Sequence, residues 1–176
     1  MITLFLISCD APKNNFGYVS IDDEKSRNVV KIFEAVEDEE IGFLKEIFSK
    51  DLEFKDPNGT ILNKDEFIAG VENIFDLFED IEFEDSEFVD YDGLAVETTY
   101  YTNGQVWTNI WSTFEGKGKY TGNEVSFPFH ISYLWDGDKI IGEIQFFSTK
   151  VFDAENEAKN DSMKKSLLVF LFSRAM

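Results

Sequence analysis

A single cysteine and a single histidine stand among the 176 residues. One cysteine cannot close an internal disulfide, and beside one histidine it cannot make up the ligand set of a transition-metal site. Cationic residues are scarce as well: 16 Lys and Arg face 35 Asp and Glu, a formal net charge of −19. A phosphate backbone is held by cations that displace its counterions, so such a surface repels nucleic acid. No apolar run approaches the roughly 20 residues that a helix needs to span a bilayer. Glycine loops that cradle phosphate, a Gly-x-Ser-x-Gly elbow and a cysteine–histidine nucleophile pair are all missing, which leaves covalent catalysis without a basis. What remains is strongly apolar. Hydrophobic residues make up 43% of the chain and 19 residues are Phe, too many for a disordered acidic polymer and enough for the core of one domain.

The order of elements is legible. Ser20-Ile21-Asp22-Asp23 offers a hydroxyl cap, here assigned to Ser20, with an acid three residues on. Val29, Phe33 and Val36 then recur with helical spacing. Asp38 is placed to cap a second helix that buries Ile41, Leu44, Ile47 and Phe48. Period two over Asp51 to Asp56 predicts a short strand, closed by a turn at Pro57-Asn58-Gly59. Asn63 caps a third helix with Phe67, Val71, Ile74, Phe75 and Phe78 along one face. Strands are expected over 81–91, 94–101, 106–114, 124–135 and 140–151, joined by turns at Asn103-Gly104 and Asp136-Gly137-Asp138 and therefore antiparallel. Helices followed by a meander define an α+β fold. A curved antiparallel sheet with the three N-terminal helices on its concave face would bury these stripes and leave a hollow where the sheet bends away.

The stretch from Ala35-Val36-Glu37-Asp38 to Asp51-Leu52-Glu53-Phe54-Lys55-Asp56-Pro57-Asn58-Gly59 resembles the opening of the nuclear transport factor 2-like superfamily in its SnoaL-like branch. The segment from His130 to Trp135, followed by Asp136-Gly137-Asp138-Lys139-Ile140, is similar to the final hairpin of those domains, with Asp138 as an insertion. The resemblance spans roughly residues 25–150. It implies a cone-shaped fold whose hollow end holds a small apolar molecule, in a family that includes isomerases, dehydratases and cyclases besides domains with no chemistry. Many members carry an Asp after the aromatic pair of the last strand, but here Phe146-Phe147 is followed by Ser148.

The two ends carry their own signals. Leu6-Ile7-Ser8-Cys9 resembles a bacterial lipobox, which implies residues 1–8 as a truncated signal, Cys9 as the lipidated residue, 9–19 as a tether and a location at the cell envelope. The alternative is an ordinary N-terminus with a free cysteine and a cytoplasmic protein. The domain then covers 20–152, and 153–176 form a tail with a polar, disordered opening. That tail ends in the apolar Ser166-Leu167-Leu168-Val169-Phe170-Leu171-Phe172, for which a foreign reading frame and a packed terminal strand or helix both stay open.

Candidate site residues follow from chemistry. His130 is the one side chain with an ordinary pKa near neutrality, and so the first candidate for general acid or base. Strand parity leaves its orientation open, since Val125, Phe127, Phe129, Ile131, Tyr133 and Trp135 share the opposite face. Trp107, Asn109 and Trp111 share a face that could hold a flat apolar ligand and orient it through one hydrogen bond, or could form a tryptophan-rich core or a sheet-to-sheet contact with a second copy. Tyr100, Glu143 and Gln145 are further polar groups on cavity strands, with Glu143 as a conceivable catalytic partner for His130. Asp56 reads as the cap of its own turn. The acids between Asp76 and Asp92 contain no complete calcium loop and read as a solvated face. No cofactor and no metal are implied.

Three functional readings stand at this point. The first is a non-catalytic, lipid-anchored domain that binds a small apolar ligand or an envelope partner. The second is a dehydratase or isomerase with His130 as proton carrier. The third is a dimerising structural module.

Overall fold

The computed structural model describes residues 16–85 and 94–174. The chain runs β1 (Gly17–Ser20), α1 (Glu24–Glu37), α2 (Ile41–Ile47), β2 (Phe48–Lys55), β3 (Ile61–Leu62) and α3 (Lys64–Leu77). It continues through β4 (Phe78–Asp85), β5 (Ala95–Tyr101), β6 (Val106–Gly118), β7 (Glu124–Asp136), β8 (Lys139–Phe146) and α4 (Lys150–Arg174). Among the described residues no helix is long and apolar enough to cross a membrane. Cys9 and the acids 86–92 lie outside them.

Local chemistry sets the helix ends, though not always at the expected residue. The α1 cap is Asp23, whose side chain accepts from the Ser26 amide, because Ser20 is engaged in β1 opposite Thr98. Asp38 ends α1, its amide reaching the carbonyls of Glu34 and Val36, and α2 begins at Glu40 with no side-chain cap. Asn63 caps α3 as expected, in a reciprocal box with Glu66.

The sheet follows the order β1-β5-β6-β7-β8-β2-β3. Long β6 serves two neighbours along one edge: its first half pairs with β5 and its second half with β4. Strands joined by short turns are antiparallel, whereas β2 and β8, far apart in sequence, pair in parallel. Register shifts in β4 between Glu79 and Glu82, and between β7 and β8 at Leu134/Trp135, bend the layer. The result is a curved, unclosed sheet whose concave side holds Ile110, Phe114, Phe129, Ile131 and Tyr133 against Val29, Phe33 and Leu44 of the helix hairpin and Phe67 and Val71 of α3. The three N-terminal helices cover the hollow side of this sheet, and a fourth helix follows the last strand.

That fourth helix replaces the disordered segment expected after Phe152. Phe152 packs on Phe78 and Phe114 at ring distances of 5.3 and 6.1 Å. One turn on, Glu155 is 1% exposed and accepts bonds from the amides of Tyr120 and Thr121 and from the Thr121 hydroxyl. These two inward residues hold the start of this helix to the β6–β7 end of the sheet.

Candidate functional site

A cavity of about 240 Å³ lies between the concave sheet face and the helices. Helix α1 gives it Ile32, Phe33 and Val36, and α3 gives Phe67, Gly70, Val71 and Ile74. Alternate residues of β7, from Phe127 to Tyr133, form the floor, as a strand with one buried face must. Thr149 and Phe152 at the start of α4 line one end. Gly70 is exposed and has open space where a Cβ would stand, so it marks the mouth. Among the described residues nine phenylalanines line the cavity, and no Lys, Arg, His or Asp does.

Glu143 is the one carboxyl among these lining residues. It is 1% exposed and stands opposite Tyr133 in the β7–β8 register. Its Oε1 accepts a hydrogen bond of 2.7 Å from Gln145 Nε2, while its buried Oε2 has no partner among the described residues. Burial pushes its pKa up to about 8, with the Gln145 bond pulling weakly the other way. Tyr133 is raised well above the ordinary phenol value, first by burial and then by the charge on Glu143. A carboxyl poised near neutrality in an apolar cavity can hold a proton, release it, or pair with a cation.

The other expected site residues lie elsewhere. His130, Trp107, Asn109 and Trp111 do not line the cavity; they stand together on the convex face. Phe129 and Ile131 point inward, so His130 between them points outward. There its ring stacks between Trp111 at 4.7 Å and Phe146 at 5.7 Å. Nδ1 lies 3.0 Å from the Ile110 carbonyl, which can only accept, so that nitrogen carries a proton. Nε2 is 3.2 Å from the Ser132 hydroxyl, itself bonded to Asn109 Oδ1 at 2.7 Å.

The suggested Glu143–His130 pair is therefore divided by the sheet. Asp136 faces Lys139 and Trp135 faces Ile140, and continuing that register would set Glu143 opposite Ser132, on the His130 face. The shift at Leu134/Trp135 moves it opposite Tyr133 instead. Tyr100 stacks on Tyr18 at 4.8 Å near the sheet edge, away from the cavity. Its hydroxyl is pushed up to about 12 by burial and the nearby Asp23 carboxylate. Asp56 caps its turn, accepting from the Thr60 amide at 2.7 Å. Among the described residues no three His, Cys, Asp or Glu side chains form a metal site. Tyr133 and the phenylalanines of α1 and β7 were visible only as core, because periodicity separates inside from outside and cannot separate a filled interior from a hollow one.

Comparison with known proteins fits this geometry. The family model for the SnoaL-like domain matches residues 29–143, more than half of the chain. No curated protein matches. Among solved structures, a protein of Xanthomonas campestris labelled a polyketide cyclase is 12% identical with a TM-score of 0.56, covering 74% of this chain and 94% of its own. A nuclear transport factor 2-like protein of Burkholderia pseudomallei is 12% identical with a TM-score of 0.55, covering 73% and 94%. A protein of Catenulispora acidiphila with a ketosteroid isomerase-like fold, in complex with trimethylamine, is 12% identical with a TM-score of 0.51, covering 69% and 85%. At these identities the structures speak for the fold alone. The family model makes this chain a member of the SnoaL-like domain family, and the solved structures share its nuclear transport factor 2-like fold.

Proposed function

We propose that the domain binds one small, largely apolar molecule in the cone, with Glu143 as its polar contact. The observation that carries this reading is the cavity of about 240 Å³ lined by phenyl and aliphatic side chains, with a single buried carboxyl whose Oε2 lacks a partner. Apolar walls gain roughly 25 cal/mol for each Å² of ligand surface taken from water. One aimed polar group is what such a site needs to orient its ligand. The trimethylamine complex of the Catenulispora relative also supports occupancy of this fold by a small molecule.

The mouth supplies the test. Replacing Gly70 by Leu improves helix propensity by about 1 kcal/mol while putting an isobutyl group at the entrance. Saturation-transfer NMR with isobutylbenzene is expected to give a signal with the wild-type chain and none with Gly70→Leu, the variant being at least as stable. Absence of a wild-type signal, or equal signals from both proteins, removes the reading.

A second reading is favoured by the same carboxyl. With a pKa of about 8, Glu143 populates both protonation states near neutrality, as a general acid or base in a lyase or isomerase would. In this reading it carries the proton in place of His130, and Glu143→Gln abolishes turnover while keeping substrate binding.

The lipobox-like Leu6-Ile7-Ser8-Cys9 supports anchoring of the domain at the bacterial cell envelope. Labelled palmitate is expected to enter the full chain in a bacterial host and to be missing from Cys9→Ser. Equal labelling of both proteins dismisses the anchor.

A further inference from the structure

We propose that the cavity takes an organic ammonium ion, a small molecule with apolar groups around one positively charged nitrogen, which pairs with Glu143 while phenyl rings surround its substituents. This rests on the cavity being a binding site, as argued above, and adds the class of ligand.

The charges lining the cavity point one way. Glu143 is the acid among them, and among the described residues no basic side chain lines the cavity to neutralise it. Gln145 has already spent an N–H on Oε1, which leaves Oε2 buried without a donor. An occupant that brings its own N–H, or a positive charge, completes the site. An anion would meet a carboxyl with no compensating cation, after approaching a chain of net charge −19.

The walls agree with that choice. Aromatic rings are negative on their faces, and a cation held among them gains about 0.5–2 kcal/mol for each good contact. Phe33 stacks with Phe129 at 5.4 Å, and Phe114 stacks with Phe127 at 5.0 Å, so these walls are built of paired rings. The faces of such rings offer nothing to a carbonyl oxygen. The volume suits a molecule of roughly ten non-hydrogen atoms.

Protonation gives the proposal a signature. Most aliphatic amines are cations at pH 7, while Glu143 with a pKa of about 8 is mostly protonated there. Pairing then requires Glu143 to lose its proton to solvent. Affinity for the amine rises up to tenfold per pH unit below about 8 and levels off above. A neutral acceptor, which needs the protonated carboxyl as donor, binds equally well at pH 6 and pH 7 and weakens only above about pH 8.

The experiment is isothermal titration calorimetry on the full chain with N,N-dimethylbenzylamine and, as a neutral acceptor of similar size, N,N-dimethylbenzamide. The amine is expected to bind at least tenfold more tightly at pH 8. It should bind more tightly at pH 7 than at pH 6 and release close to one proton in buffers of different ionisation enthalpy. Glu143→Gln should cut amine affinity at least tenfold and leave the amide within twofold; the wild-type pH profile is a separate measurement that needs no variant. An amide that binds equally well or better, or an amine whose affinity ignores pH, overturns the ammonium proposal and leaves the cavity as a site for neutral molecules. Failure of both probes, together with failure of isobutylbenzene, overturns the cavity reading itself.

Discussion

Tyr133 and Glu143 face each other across β7 and β8, and both turn inward onto the cavity, where each is driven toward its neutral form. The pair thus couples the fold to pH. Glu143 has a folded pKa of about 8 against 4.5 when free, so the folded state binds the proton more tightly than the unfolded chain. Its stabilising contribution is full below about pH 4.5, falls as pH rises toward about 8, and is flat beyond that. The loss across this window is a few kcal/mol. Urea midpoints of wild type are expected to drop relative to Glu143→Gln between pH 5 and pH 8, and the variant should be the more stable protein at pH 9. Parallel curves for the two proteins would mean that the carboxyl is not held in its protonated form.

A second relationship holds α1 to the sheet. The hydroxyls of Ser26 and Thr98 lie 2.8 Å apart, those of Thr98 and Thr108 also 2.8 Å, and Trp135 Nε1 donates to Thr108 Oγ1 at 2.9 Å. All four residues are buried. Thr108→Val keeps the shape but strands the indole N–H, a cost of about 1–3 kcal/mol. Thr98→Val costs less, since Ser26 retains the Ser20 carbonyl and Thr108 retains Trp135. Chemical denaturation of the two variants is expected to rank them in that order, with a shifted tryptophan emission only in Thr108→Val.

The first three helices, most of the strands and the cone were legible because each rests on local periodicity: Val29, Phe33 and Val36 spaced for a helix, Phe127, Phe129 and Ile131 alternating in a strand. The face on which the site lies was not. A shift of one residue between Leu134 and Trp135 decides whether Glu143 joins His130 outside or Tyr133 inside, and nothing in the local residue pattern marks it. Helix α4 was hidden for a related reason. Residues 153–162 are polar, and what orders their start is the distant acceptance by Glu155 of two amides in the β6–β7 turn.

The convex face yields a prediction about assembly. Trp111 is 39% exposed and Phe146 57%, with the His130 ring stacked between them. A second copy pressing the same strip against this one would take those rings out of water. Two chains of charge −19 repel, so pairing should strengthen with salt. Sizing chromatography is expected to give twice the monomer mass at high salt, and the monomer mass for Phe146→Lys. A wild-type chain that stays monomeric at every salt concentration excludes this dimer.

The anchor of α4 carries the last prediction. Glu155 is almost wholly buried, and its carboxylate is satisfied by the Tyr120 and Thr121 amides and the Thr121 hydroxyl. Hydrogen bonds to a charged acceptor contribute about 1.5–3 kcal/mol each, and Ala in its place leaves the two turn amides to find water. Glu155→Ala should therefore cost at least 2 kcal/mol by the same range. The same carboxylate occupies the space beside Gly118, where any Cβ would collide with it, so Gly118→Ala should produce a similar loss by displacing Glu155. Because Thr149 and Phe152 line the cavity just before this anchor, the damage is expected to reach the site. Amide exchange over residues 150–160 should accelerate and a bound probe should leave faster, while β2, at the far side of the sheet, keeps its protection. Uniform acceleration through the whole sheet would show that α4 is part of the global core rather than a separately anchored cover for the cone.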